Sequence, residues 1–257
     1  MGTRPQASNG PVSDMSDKSL AARFPSTIAP GGPPRRRAFL SLLLAAAAAG
    51  AVTTLSVRPG YAGPTADEVA KRVQTFYDAT KTFRAGFTQT YTIKVQNVKK
   101  VSTGRVTFEK PGKMSWVYDA PNGNRVVSDG ATIKVYEKEN EQMFETPVKN
   151  SQYPAALSFL MGKGQLTKDF SWRLLDPAQM KFEGGYVIEG TPKEATPAYQ
   201  KVLLYVDAQT SQARRALILD AQGNRNRFDF KEPVINKPVD KSEFEFTPPP
   251  GTKIIKP

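Results

Sequence analysis

The sequence predicts an α+β chain that is mainly β: a strongly curved antiparallel sheet with helices covering its concave side. Three observations point to it. From Phe83 onward apolar and polar residues alternate with period two, as strands with one buried face require. Turn chemistry recurs at short intervals, at Pro121-Asn122-Gly123, Asp129-Gly130 and Ala221-Gln222-Gly223-Asn224, which suits a meander of hairpins. Helical patterning is confined to one stretch before Phe83 and one near residue 157.

Thr65-Ala66-Asp67-Glu68 has the form of a capping box, in which the Thr hydroxyl serves one free amide and Glu68 reaches back to another. Val69, Val73, Phe76 and Thr80 follow at helical spacing, so 66–80 is expected as an amphipathic helix lying on a sheet. In the first strand Phe83, Ala85, Phe87, Gln89, Tyr91 and Ile93 share one face. Val106 and Phe108 do so over 104–109, and Met114, Trp116 and Tyr118 over 113–118. Asn124–Ser128 and Thr132–Glu137 flank the Asp129-Gly130 hairpin, and Gln142–Thr146 follows the charged turn Lys138-Glu139-Asn140.

The apolar run Ala155–Met161, ended by Gly162, reads as a second helix closed by glycine. Strands resume at Tyr186–Gly190, Lys201–Asp207, Arg214–Asp220 and Asn226–Phe230. Glu243-Phe244-Glu245-Phe246 alternates as a last strand before Pro248-Pro249-Pro250-Gly251. With about ten strands and no internal linker or repeat, residues 63–257 are expected to form a single domain.

Residues 1–62 read as a leader. Residues 1–34 are rich in Gly, Pro and Ser and lack an apolar pattern, so they are expected to be disordered. Arg35-Arg36-Arg37-Ala38-Phe39-Leu40 opens an apolar stretch that ends in the small residues near Tyr61-Ala62-Gly63, the order of a secretory signal peptide. The Arg-Arg-x-Phe-Leu pattern also fits twin-arginine export. The apolar core, 38–57, is long enough to stay as a membrane anchor. Its Ala-rich composition, broken by Gly50, Thr53, Thr54 and Ser56, favours cleavage after Ala62. The export route, and a start at Met1 or Met15, stay open.

Composition removes whole classes of chemistry. The chain has no Cys and no His, which excludes thiol nucleophiles, disulfides, imidazole acid–base catalysis and Cys/His metal sites. No nucleophile motif is present; Asp129-Gly130 reads as a turn, and Gly184-Gly185 after Glu183 follows no strand–helix phosphate pattern. The expectation is a protein that is not an enzyme and has no cofactor or metal. Of the net charge of +12, the leader carries +5. The basic remainder has its densest clusters at Lys99-Lys100, Arg214-Arg215 and Arg225-Asn226-Arg227. Acidic residues are interspersed and no aromatic–basic motif appears, so nucleic acid is not an expected partner. The clusters either face an acidic partner or anionic headgroups, or are solvated strand faces.

A longer string of residues carries a resemblance. It comprises Phe83-Arg84-Ala85-Gly86-Phe87-Thr88-Gln89, then Phe108-Glu109-Lys110-Pro111-Gly112-Lys113-Met114-Ser115-Trp116, then Tyr118, Pro121, Ser128-Asp129-Gly130 and Tyr136. It closes with Phe244-Glu245-Phe246-Thr247-Pro248-Pro249-Pro250-Gly251. In this order, after an export signal, the chain resembles the LolA-type periplasmic outer-membrane lipoprotein carriers over nearly all of 65–251.

The resemblance implies an incomplete β-barrel whose hydrophobic cavity shelters the acyl chains of lipoproteins. Such a carrier takes its cargo from an inner-membrane lipoprotein-releasing transporter to an outer-membrane acceptor, through the periplasm, as a monomer. The alternative is a periplasmic or membrane-tethered regulatory module of the same fold that senses lipid or mislocalised lipoproteins.

The expected cavity lining is Phe87, Tyr91, Ile93, Val106, Phe108, Met114, Trp116, Ile133, Val135, Met143, Leu157, Phe159, Leu160, Met161, Leu203, Tyr205, Leu217 and Leu219. Each also suits ordinary core packing, while Met114, Met143 and Met161 have the pliable thioethers of surfaces that repack around varied cargo. The resemblance further marks Lys110 as a lid-latch candidate. Better-known members carry Arg there, whose donor fork is larger, so a solvated strand-end charge is the competing role.

Overall fold

In the computed structural model the described residues are 63–150 and 164–256. The leader, and the expected helix at 155–161 with Leu157, Phe159, Leu160 and Met161, lie outside them. No helix among the described residues is long and apolar enough to cross a membrane.

Helix α1 (Ala66–Ala79) begins at the expected capping box: Glu68 N donates to Thr65 Oγ1 at 3.2 Å, and Thr65 N donates to Glu68 Oε2 at 2.8 Å. Its buried side is Val69, Ala70, Val73 and Tyr77. The deepest ring is therefore Tyr77 rather than the expected Phe76, because positions 69, 73 and 77 keep strict i, i+4 spacing.

Six strands follow as a meander: β1 (Thr82–Ile93), β2 (Val98–Glu109), β3 (Lys113–Tyr118), β4 (Arg125–Asp129), β5 (Thr132–Glu137) and β6 (Gln142–Pro147). A one-turn helix, α2 (Leu166–Asp169), leads into β7 (Phe170–Leu175). Then come β8 (Gly185–Pro192), β9 (Lys201–Asp207), β10 (Ala213–Leu219), β11 (Arg225–Ile235) and a short β12 (Lys253–Ile255).

All twelve strands form one sheet in the order β12-β6-β5-β4-β3-β2-β1-β11-β10-β9-β8-β7. Every pairing is antiparallel except β12 on β6. The ends β12 and β7 do not meet, so the barrel is incomplete.

Strand alternation gives the sheet two unlike faces. The concave face packs Phe83, Phe87, Val106, Phe108, Met114, Trp116, Val126, Ile133, Ile188, Leu204, Phe228 and Phe230 with α1 into the main core. On the convex face Val187, Leu203 and Tyr205 form a second cluster with Leu175, Met180, Phe182, Leu217 and Leu219.

Three local expectations change. Glu243–Phe246 is not a strand: Asp240 accepts from Ser242 N at 2.9 Å and starts a 3₁₀ turn over Lys241–Phe244. The chain there straps the convex face, with Lys113 over the Phe244 ring and Arg125 over Phe246, before ending as β12. Strand β7 carried no readable alternation, since its apolar positions break step at Leu174-Leu175. Finally, β2 starts at Val98, six residues before its regular apolar pattern.

Candidate functional site

The concave face is built around aromatic rings. Phe87 lies 5.0 Å from Trp116, 5.1 Å from Tyr118 and 6.3 Å from Phe228, and Trp116 lies 5.1 Å from Phe228, all by ring centroids. Phe83 links this group to Phe108, Phe230 and, at 6.3 Å, Tyr77 of α1. Gly104, opposite Phe87 in the ladder, makes the packing possible. A Cβ there would sit 2.8 Å from the Phe87 ring and 2.1 Å from the Val117 carbonyl oxygen, so any larger residue would lift the ring off the strand.

Helix α1 lies over this face and is fastened at its C-terminal end. Its last turn contains no basic residue, leaving exposed carbonyls and the negative end of the helix dipole. Lys110, at the β2–β3 turn, supplies the missing cation: its Nζ donates to the Tyr77 carbonyl and, at 3.4 Å, to that of Asp78. Burial pushes the Lys110 ammonium below the usual lysine pKa, and Asp78 acts in the opposite sense.

Asn236 closes the same end, accepting from Lys81 N at 2.6 Å and Thr82 N at 3.4 Å, and donating to the Ala79 carbonyl at 3.5 Å. Sequence reasoning named Lys110 and missed Asn236, because a lone Asn after a strand, remote in sequence from the helix, leaves no local signal. Further along α1, in its C-terminal half, Gln74 Oε1 accepts from Leu166 N at 2.8 Å and ties α2 to the helix.

The expected lining residues divide into groups. Phe87, Val106, Phe108, Met114, Trp116 and Ile133 lie together in the concave core, with Val135 packed against it. Tyr91 and Ile93 are only partly buried, near the far end of β1. Met143 is buried on β6, but it lies opposite Tyr136 in the ladder and so on the convex side, not the concave one. Leu203, Tyr205, Leu217 and Leu219 are not on the concave side at all: they belong to the convex cluster. The inward positions of those strands are Val202, Leu204, Val206, Ala216 and Ile218. The parity was unreadable because β9 is apolar on both faces, Val202 through Val206 all being buried.

In the concave core Phe87, Phe108 and Trp116 are at most 2% exposed. Three clefts of about 990, 610 and 750 Å³ are present, and none is lined by Phe87, Phe108 or Trp116. The cleft of about 610 Å³ runs beside α1, over Phe76, Ala79 and Ile235, with Lys71 and Arg72 at its rim. Trp116 Nε1 is buried without a hydrogen-bond partner among the described residues.

Most of the arginines in the basic clusters are engaged on the convex side. Arg215 pairs with Asp229 and stacks over Tyr205; Arg227 lies 2.8 Å from the same carboxylate; and Arg214 stacks over Phe182, 3.8 Å from Asp207. Among the described residues no group of three or more carboxylates is placed to hold a metal ion.

An open, curved antiparallel sheet with an aromatic concave face under a helix, its end bonded to Lys110 and Asn236, frames the comparison with known proteins. Residues 78–247, which hold the aromatic cluster, Lys110 and Asn236, match the family described as outer membrane lipoprotein carrier protein LolA. The chain belongs to the LolA family. Its relatives include outer-membrane lipoprotein carrier proteins of Nitrosomonas europaea (26% identical, 75% of this chain and 91% of that one), Bordetella pertussis (26%, 80% and 93%) and Cupriavidus taiwanensis (29%, 75% and 90%). Among solved structures, a LolA superfamily protein from Nitrosomonas europaea is 15% identical, covering 72% of this chain and 99% of that one with a TM-score of 0.41. A putative outer membrane lipoprotein-sorting protein domain from Vibrio parahaemolyticus is 12% identical, with 70% and 95% coverage and a TM-score of 0.41. The LolA family is one of lipoprotein carriers rather than of enzymes.

Proposed function

We propose that this chain is a periplasmic carrier that shelters the acyl chains of lipoproteins against its concave face and shuttles them from an inner-membrane transporter to an outer-membrane acceptor. The observation that carries the reading is the pairing of a broad aromatic–aliphatic face with a helix, α1, whose end is held by the polar contacts of Lys110 and Asn236. Polar contacts of this kind can be exchanged for water at modest cost, so the helix is suited to act as a lid and Lys110 as its latch.

The close packing of the concave rings bears on the energetics. Burying one acyl chain of roughly fifteen methylenes contributes about 12 kcal/mol, at ~0.8 kcal/mol per CH₂. Three fully sheltered chains would give about 36 kcal/mol, beyond the practical ceiling of roughly 18–21 kcal/mol and incompatible with release. An interior that is already packed lowers that gain, because rings that touch one another must part before the chains can enter. Cargo binding is then strong enough to carry and weak enough to hand over.

The test uses two adjacent positions. Tyr118 packs against the concave core, while Val117 points to the convex side. A photo-crosslinking residue is placed at each in turn, and the protein is mixed with acylated and non-acylated forms of one lipoprotein. Crosslinks from 118, to the acylated form alone, are expected. Equal crosslinking from both positions, or none from either, overturns the carrier reading.

A further inference from the structure

The β1–β2 hairpin carries an unusual surface. Six large hydrophobic side chains are exposed among the described residues, and three of them, Val95 at 88%, Val98 at 40% and Val101 at 64%, lie on this one hairpin. β3 pairs only with Gly104–Glu109 of β2, so Val98–Thr103 extend past it with β1 as their one strand neighbour, and the 119–122 turn reaches only Ser102 and Thr103 by hydrogen bonds. Interleaved with the valines are Lys94, Lys99 and Lys100, all exposed. Between Asp78 and Glu109 the chain carries six basic residues and no acidic one.

The nearest carboxylates are already occupied or opposed. Asp119 accepts from Thr103 Oγ1 at 2.7 Å, and Asp220 accepts from the backbone of Gln222 and Asn224. Glu139 shares a cleft with Lys100 but has Lys138 beside it. Arg225, opposite Thr92 on β11, adds a further exposed positive charge.

We propose that this hairpin tip docks on an anionic lipid surface. Its apolar groups point in several directions: by strand alternation Val98 lies on the concave side and Val101 on the convex side, while Val95 sits in the connecting turn. A flat protein epitope reaches one of these sides, whereas immersion in a bilayer interface covers all of them at once. Lysines on both faces then reach headgroups all round, which supplies the second signal that shallow apolar insertion needs. The tip is tied to the neighbouring β10–β11 turn, since Lys94 N donates to Asn224 Oδ1 at 3.0 Å.

The geometry also separates docking from the latch. Tip and Lys110 lie at opposite ends of β2, whose 12 residues span roughly 40 Å at ~3.3 Å each. A docked tip leaves the α1 end clear of the surface. This inference stands on the hairpin's own chemistry and does not require the carrier reading.

Because the chain contains no cysteine, Val95→Cys in the full chain takes a single environment-sensitive fluorophore, which reports on the tip whatever other segments do. With vesicles of equimolar phosphatidylglycerol and phosphatidylcholine, a blue shift and rise in emission are expected. Each lysine near an anionic surface contributes about fivefold in affinity. Lys94→Gln, Lys99→Gln and Lys100→Gln together are therefore expected to weaken the response on the order of a hundredfold. The same label at Ser242→Cys, on the convex strap, is expected to stay unchanged. No response at position 95, an equal response on pure phosphatidylcholine, an equal response at 242, or a response only to added unlabelled protein would each overturn the proposal, the last by making the tip a protein-docking surface.

Discussion

The two faces of the sheet are both apolar, yet they are covered in different ways. The convex face is closed by chain continuous with its own strands. The 176–184 loop lays Met180 and Phe182 on Leu203, Tyr205 and Leu217. The segment after β11 is pinned along its length: Thr82 Oγ1 donates to the Lys237 carbonyl at 2.7 Å, Lys134 Nζ donates to that of Phe246 at 3.2 Å, and Lys256 lies 3.7 Å from Glu145. Over the concave face α1 instead rests on rings and is held at its C-terminal end by two side chains, Lys110 and Asn236. Both faces carry apolar area; what distinguishes the concave one is a cover, α1, whose end is fastened by a few polar contacts.

The sharpest way to break this comparison is to cut a hole on each side. Trp116→Ala is expected to cost about 3–5 kcal/mol and Leu203→Ala about 2–4 kcal/mol in urea unfolding, as transfer and cavity terms add. A long-chain fatty acid is expected to restore part of the Trp116→Ala loss and none of the Leu203→Ala loss. Equal restoration would mean that the faces do not differ as binding surfaces.

A smaller effect tests the latch. Lys110→Met removes a charge-assisted bond to the end of α1 and is expected to cost about 1–2 kcal/mol, with faster amide exchange confined to the last turn of the helix. Lys110→Arg is expected to retain most of the protection. Uniformly faster exchange would assign Lys110 to general stability instead.

Acid probes the convex face. Burial works against the Glu189 carboxylate, but hydrogen bonds from Arg173 and Lys201 outweigh it and hold the group below the usual glutamate pKa. The Thr210 amide does the same for Asp207, and the Thr132 amide for Asp129. Depressed carboxyl pKa values stabilise the fold above the unfolded-state value of about 4, and this contribution is lost as pH falls through the lower folded values. Stability is therefore expected to drop below about pH 4, and Glu189→Gln to blunt the drop. Between about pH 5.5 and 8 a chain without His or Cys has no side chain of ordinary pKa to titrate. The melting temperature is expected to be flat there, and a clear slope would reveal a shifted group.

Much of this architecture was legible in the residues. The Thr65–Glu68 box placed the start of α1, and the period-two runs placed most of the strands. The aromatic positions Phe87, Phe108 and Trp116 were assigned to one face because their strands carry polar residues on the other side at regular steps. Where both faces of a strand are apolar that signal vanishes, which is why Leu203, Tyr205, Leu217 and Leu219 were expected on the wrong side. Phe244 and Phe246 misled for a related reason: alternation records that two side chains are buried on one side, not that the backbone between them has a ladder partner.

Local chemistry in the chain thus determined its elements, its turns and the exclusion of Cys- and His-based chemistry, because capping, pleating and turn formation act over a few residues. The tertiary structure decided which apolar surface meets the helix, that Asn236 closes the end of α1 alongside Lys110, and that the C-terminal segment crosses the convex face to end as β12. Those choices depend on contacts between residues far apart in sequence, such as the 155 positions separating Lys81 from Asn236, and no periodicity in either segment records the other.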